Sequence, residues 1–393
     1  MTGEQSQVGN PRSGPSQATS EIAASLRDLD PAYFGLVMST GIVSIAFLEL
    51  GIDAVSWPLA AFTVVCYVLL VGLFALKVAV FPRHVAANLR NRERHWGTLT
   101  FIVGTNTVGV QFVLFFEAIE IATALWVTTV VATPLLLYYL FATAFIGARK
   151  TAVSERIDGA FLLVIVCMQS LAVLGGLLST ELSAYTADIV LLSMSYFGAG
   201  YVLYFIVVTV VTYRLLEGNV RPSDWTGPYW ITMGAAAITT LAGSTLGPRL
   251  DSITAWEPYA PVILGVTFLA WAIASWWIPL LLIVDVWKFL TGDIEGKPPL
   301  WVVLVPWSRI AFGRRLNTYE PATWGRVFPM GMYTACTLNL GGIRTFNTLQ
   351  IVPKYWGWFA LSVCGLTLLG AIRASGRTLL QTVRGVHGDP DSS

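Results

Sequence analysis

The sequence predicts an all-α integral membrane protein of ten transmembrane helices, paired as five helical hairpins. Three observations carry that prediction. Hydrophobic residues make up 55% of the 393-residue chain and charged residues only 12%, about half the charged share of a soluble domain. The mean hydropathy is +0.66, and the apolar residues gather into ten stretches, each long enough for the roughly 20 helical residues that cross a hydrocarbon core of about 30 Å. The basic residues, finally, fall almost wholly into alternate connections between those stretches.

Residues 1–30 are rich in Ser, Gln and Gly and have no apolar core ahead of Pro31. They read as a disordered cytoplasmic tail and not as a cleaved signal peptide. The ten spans of the 31–373 domain then run approximately over Pro31–Leu50, Ser56–Val80, Thr98–Phe116, Glu120–Ile146, Ile157–Ser179, Ser183–Tyr213, Pro228–Gly247, Tyr259–Leu290, Ala322–Gly342 and Ile351–Arg373. Cytoplasmic connections retain Lys and Arg. With both termini cytoplasmic, every basic residue except Arg249, Arg344 and Lys354 lies on the inner side, while the outer loops carry Glu49, Asp53, Glu117, Glu120, Glu181, Asp251 and Glu257. An odd number of spans would scramble this order. The expected location is therefore the plasma (inner) membrane, multi-pass, with a long cytoplasmic loop at 291–321 and a second cytoplasmic tail at 374–393. Within the loop, Leu300–Val305 with Trp301 and Trp307 is too short to span. It reads as an interfacial segment anchored by tryptophans, the alternative being a re-entrant element.

The composition also excludes functions. A net charge of +1 offers no basic excess for nucleic-acid phosphates. Cys66, Cys167, Cys336 and Cys364 lie in apolar stretches without a CxxC spacing, and His84, His95 and His387 lie in polar ones, so neither metal nor cofactor is expected. An enzyme of lipid-soluble substrates would cluster ionisable groups at one membrane face. His84, His95 and Glu93 are the only candidates, and they read better as part of a basic cytoplasmic loop.

The helices fall into two kinds. The odd-numbered spans hold all four membrane-embedded amides, Asn106, Gln111, Gln169 and Asn339, and twice as many glycines as the even ones. Lipid-facing positions do not carry amides cheaply. Polar and small residues thus mark the odd helices as lining a central pore, although small residues also serve helix packing in any membrane bundle. The lining candidates are Ser39, Thr40, Thr105, Asn106, Thr107, Gln169, Ser170, Thr239 and Thr334, joined by Met38, Met233 and Met330 from a weak local similarity among Val37–Gly41, Thr232–Ala235 and Pro329–Met332. No ionisable side chain sits mid-span. Asp285 and Lys288, three residues apart near a helix end, read as an interfacial pair.

Two segments resemble a known family: Pro31-Ala-Tyr-Phe-Gly-Leu-Val-Met-Ser-Thr-Gly41 and Trp324-Gly-Arg-Val-Phe-Pro-Met330. Both are similar to signatures of the tellurite-resistance and dicarboxylate transporter family, which includes TehA-like bacterial proteins and plant slow-type anion channels. The resemblance implies a pore surrounded by the odd helices, an occluding phenylalanine at Phe328, and a homotrimer with one pore per subunit. Pro329 fits that role, since it has no N–H for the Gly325 carbonyl and lets the helix kink and aim the ring inward. The chain is longer than a minimal bacterial member of the family, mainly through the 291–321 loop and the polar tails, and regulation through long termini like those of the plant channels is not expected.

The function expected is passage of small inorganic or organic anions through the lipid bilayer, with Phe328 as gate. Hydroxyls and amides would replace part of the hydration shell, and Arg344 at the pore mouth would attract anions, unless it only snorkels from a helix end. The alternative is a secondary transporter of C4-dicarboxylates, sulfite or tellurite-type oxyanions.

Overall fold

The computed structural model describes residues 23–90, 95–146, 158–218, 220–251, 253–291, 304–312, 319–343 and 347–386, without the side chains of residues 347 and 377–386. Arg344, Glu93, His387, Trp301 and residues 1–22 lie outside the described residues. Among those described there is no strand, and ten helices have sixteen residues or more: α1 Phe34–Glu49, α2 Asp53–Val80, α3 Leu99–Phe116, α4 Ile119–Ile146, α5 Leu163–Glu181, α6 Thr186–Glu217, α7 Ile231–Leu250, α8 Ala260–Thr291, α9 Trp324–Ile343 and α10 Asn347–Val386. Each odd helix packs on the even helix that follows it. The odd helices also pack on one another in the closed order α1, α3, α5, α7, α9 and back to α1.

The two kinds of helix differ in what they bury. About three-quarters of the apolar core of α1 and α3 is buried (72% for each), against 11% for α2 and 22% for α4. The even helices turn large apolar side chains outward, among them Leu69 and Leu73 of α2, Leu135 and Phe145 of α4, Ile206 of α6, Trp276 and Ile283 of α8, and Trp358 and Ile372 of α10. An apolar sheath of this extent is what a bilayer solvates and water does not. Among the described residues, eight helices are long and apolar enough to cross a membrane. The two long helices outside that set, α7 and α9, are largely enclosed by the others, with 18 of 20 and 16 of 20 residues buried.

All five odd helices begin in the same way, with a 3-10 turn: Pro31–Tyr33, His95–Thr98, Gly159–Leu162, Gly227–Trp230 and Pro321–Thr323. Asp30 and Asp158 cap two of these turns by accepting the amides of Ala32 (2.9 Å) and Ala160 (3.0 Å). The turns interlock tightly. A Cβ at Gly159 would fall 2.3 Å from the Pro228 carbonyl, and one at Gly227 2.5 Å from that of Ala322, so only glycine fits at either place.

Several expectations need correction. Residues 23–28, assigned to the tail, are helical, and α10 continues beyond Arg373 to Val386, because a helix satisfies its own backbone outside the membrane as well as inside it. Asp285 takes Arg326 as its ion partner, with Nε 2.7 Å from Oδ2 and Nη2 3.0 Å from Oδ1. Lys288, the expected partner, donates to the Trp225 carbonyl at 2.5 Å. Trp307, expected to anchor an interfacial segment, turns onto the helices, its Nε1 donating to Asp285 Oδ2 at 3.1 Å and its ring meeting Phe359 edge-on, while residues 300–303 of that segment lie outside the described residues.

Candidate functional site

Two cavities lie on the axis of the five-helix ring, and each is lined by residues of all five odd helices or of the turns that open them. The proximal cavity, at the N-terminal ends of these helices, has a volume of about 490 Å³. Its helical wall is Gly35 and Met38, Thr100, Leu163, Ile231 and Gly325, and its rim holds Asp28, Asp30, Asp158 and Glu320. The distal cavity, of about 100 Å³, begins seven residues further along every helix, at Ile42, Thr107, Ser170, Ile238 and Met332. It ends seven residues beyond that at Glu49, Leu114, Leu177, Thr245 and Asn339.

This shared spacing defines a register. Seven residues are nearly two helical turns, so positions i and i+7 share a face and stand about 10 Å apart along the axis. Position i+3 falls between them on the same face. It is occupied by Met38, Val103, Val166, Gly234 and Phe328, and the four side chains there are at most 1% exposed. Phe328 is the largest of them, and its ring neighbour α7 offers only Gly234 at that level. A Cβ at Gly234 would come within 2.7 Å of Pro329 Cγ, and one at Gly331 within 2.9 Å of Val43 Cγ2. Pro329 therefore faces α7 and Gly331 faces α1, which leaves Phe328 on the arc between, toward the axis.

The same register sorts the other candidates. Met38 lines the proximal cavity, and Asn106, Thr107 and Ser170 line the distal one. The remaining eight lie on neither wall. Ser39 donates to the Trp324 carbonyl at 2.9 Å, tying α1 to α9. Thr40 accepts from Thr63 and Thr105 from Tyr67, both of α2. Gln169 donates to the Phe197 carbonyl of α6. Thr239 donates to the Ala235 carbonyl of its own helix, and Thr334 to that of Met330. Thr334 also lies near Gly357 of α10. Met233 and Met330 are buried on sides of α7 and α9 turned away from the lining faces, and the Met330 carbonyl accepts from Trp356 of α10. The methionine similarity thus has no counterpart in register, since Met38, Met233 and Met330 stand three, two and five residues after their helices' first lining positions.

The polar chemistry of the distal cavity is largely self-contained. Asn106 Nδ2 donates to Ser170 Oγ (2.9 Å) and Asn106 Oδ1 accepts from Thr129 (2.7 Å). The Ser170, Thr107 and Thr245 hydroxyls donate back to carbonyls of their own helices. At its outer limit Asn339 Nδ2 donates to Glu49 Oε1 at 2.7 Å. Residue types alone did not single out Glu49 as lining a cavity, because it looked like an ordinary loop acid. A usable signal was present: Asp30-Pro31-Ala32, Asp158-Gly159-Ala160, Thr226-Gly227-Pro228 and Glu320-Pro321-Ala322 mark four of the five turns, and counting from them finds the lining positions.

Among the described residues no group of three or more His, Cys, Asp or Glu is placed to hold a metal ion. An apolar sheath around a closed inner ring with cavities on its axis defines the class: an all-α integral membrane protein. Within that class the chain belongs to the voltage-dependent anion channel family, SLAC1, which matches it over residues 28–372, and so to the tellurite-resistance and dicarboxylate transporter group that its two signature segments resemble. It is 30% identical over 185 residues to an uncharacterized membrane protein of Mycobacterium tuberculosis, covering 47% of this chain and 83% of that one. It is 20% identical over 355 residues to an uncharacterized transporter of Methanocaldococcus jannaschii, covering 88% and 95%. The family, together with a relative named as a transporter, points to anion transport across a membrane, the work of a transporter or channel rather than of an enzyme.

Proposed function

We propose that small anions cross the bilayer along the axis of the α1, α3, α5, α7, α9 ring, and that the Phe328 side chain occludes this path between the two cavities. The observation that carries the reading is the position of Phe328, on the lining face of α9 between Gly325 of the proximal cavity and Met332 of the distal one. A ring at that level fills the narrowest part of the path and keeps it dry. The proximal cavity has room for a hydrated anion and the distal one for a small anion such as chloride or nitrate with little water. In this reading all ten long helices span the plasma membrane. Helices α7 and α9 need less apolar surface because the others shield them from lipid, and the positive-inside distribution puts the proximal cavity on the cytoplasmic side.

The test is anion flux into proteoliposomes, driven by an anion gradient alone, for the wild type and Phe328→Ala. Replacing the ring should raise chloride and nitrate flux by at least about tenfold, since removing an aromatic side chain from a dry constriction lets water and ions in. Unchanged flux through a folded Phe328→Ala protein would reject the occluding role. Saturable malate uptake that requires a proton or sodium gradient would instead identify a secondary transporter.

A further inference from the structure

The distal cavity holds one ionisable residue, Glu49, in its outermost layer with Leu114, Leu177, Thr245 and Asn339. Other titratable groups at this end of the helices packed on α1 are Asp53 of α2, Glu117 after α3, Cys336 of α9, and Lys354 and Tyr355 of α10. None of them lines the cavity. Glu49 is accessible to solvent, as a residue at a mouth must be.

The hydrogen-bond inventory shows what this carboxylate does to an entering anion. An anion leaving water needs donors. The Thr107, Ser170 and Thr245 hydroxyl hydrogens are all directed to backbone carbonyls, at 2.7–2.8 Å. Asn339 Nδ2 donates to both Glu49 Oε1 (2.7 Å) and the Ala335 carbonyl (3.0 Å), which uses both amide hydrogens. One amide hydrogen of Asn106 is left on the whole cavity wall. The Glu49 Oε2 atom, by contrast, takes no hydrogen bond among the described residues. When ionised it adds a negative charge to a wall of acceptors, and when protonated it becomes an O–H donor at the mouth.

We propose that Glu49 determines occupancy of the distal cavity: an anion enters when the Glu49 carboxyl is protonated and donates to it, and is turned away when the carboxyl is ionised. Passage is thereby linked to acidity on the distal face, with one proton held on Glu49 while the anion is bound. This rests on the reading that anions travel the ring axis.

The experiment uses the full chain in proteoliposomes, with chloride as probe and the pH of each face varied separately between about 5 and 8. Wild type, Phe328→Ala, and Phe328→Ala combined with Glu49→Gln or Glu49→Asp are compared. In the Phe328→Ala background, chloride flux should rise roughly tenfold as the distal face is acidified, the size expected for removing one charge from a low-dielectric mouth. Glu49→Gln should give high flux at every distal pH, and Glu49→Asp should restore the pH dependence. A distal pH dependence that survives Glu49→Gln in the Phe328→Ala background, or a Phe328→Ala, Glu49→Gln flux no higher than that of Phe328→Ala at distal pH of about 8, overturns the proposal. Absence of chloride flux through folded Phe328→Ala at any pH would instead reject the reading of an axial path occluded by Phe328, so the two failures are distinguishable.

Discussion

Asp158 shows how one residue serves two demands in the proximal cavity. Its carboxylate caps the turn that starts α5 and faces the path at the same time. Burial pushes its carboxyl above the usual range, only partly offset by its bond from the Ala160 amide and by Arg214. A carboxyl that titrates higher in the folded protein than in the unfolded chain contributes stability that is complete below the unfolded pKa and is lost as pH rises through the folded one. Asparagine keeps the cap and carries no charge. Asp158→Asn should therefore melt higher than wild type near neutral pH, with the difference vanishing on acidification, as read by tryptophan fluorescence in detergent. Parallel melting profiles at all pH values would contradict this. Asp28, held low by its hydrogen bond from Arg27, stays ionised and makes no such contribution.

At the scale of elements, the position of α9 decides where Phe328 lies, and the Asp285 cluster fixes α9. Five donors converge on that one carboxylate: the indole N–H groups of Trp225, Trp230 and Trp307, and two from Arg326. Arg326 is 3% exposed and Asp285 fully buried, and the guanidinium also lies over the Phe289 ring. One residue of α8 thus gathers the start of α7, the segment after α8, and α9 two residues before Phe328. Removing one partner of a buried pair leaves an uncompensated charge and costs about 3–5 kcal/mol. Asp285→Ala should lower stability by that order, measured by thermal unfolding, and should loosen the occlusion, read as raised chloride flux through whatever fraction remains folded. A stable, tight Asp285→Ala protein would remove the cluster from any part in placing α9.

At the scale of the whole molecule, the two-shell design separates two solvents. The even helices meet lipid with apolar side chains, and the odd helices keep their amides and hydroxyls away from it. The orientation proposed from the basic residues has a direct check. Cys167, Cys336 and Cys364 are buried, so they should resist maleimide in sealed vesicles. Cysteines introduced at Arg83, beyond α2, and at Asp251, beyond α7, should label from opposite sides, with Arg83→Cys reacting only from the cytoplasmic one. Labelling of both from one face would overturn the topology.

Composition and hydropathy by themselves determined that this chain is helical and lives in a membrane, because the cost of burying backbone polar groups in hydrocarbon leaves few alternatives. They also distinguished odd from even helices, since an amide such as Asn106 or Gln169 is tolerated only where other helices cover it. Which side of an odd helix faces the axis was decided by tertiary structure alone. Gln169 and Thr105 are as polar as Asn106 and Ser170 yet bond to outer helices, because any buried polar group needs a partner and polarity does not say on which side that partner stands. The ion pair of Asp285 likewise follows from a contact 41 residues distant in the chain, while helical spacing offered only Lys288. Glu49 becomes a cavity residue when five helices of common register bring their fourth turns to one level, a coincidence of packing that no single helix encodes.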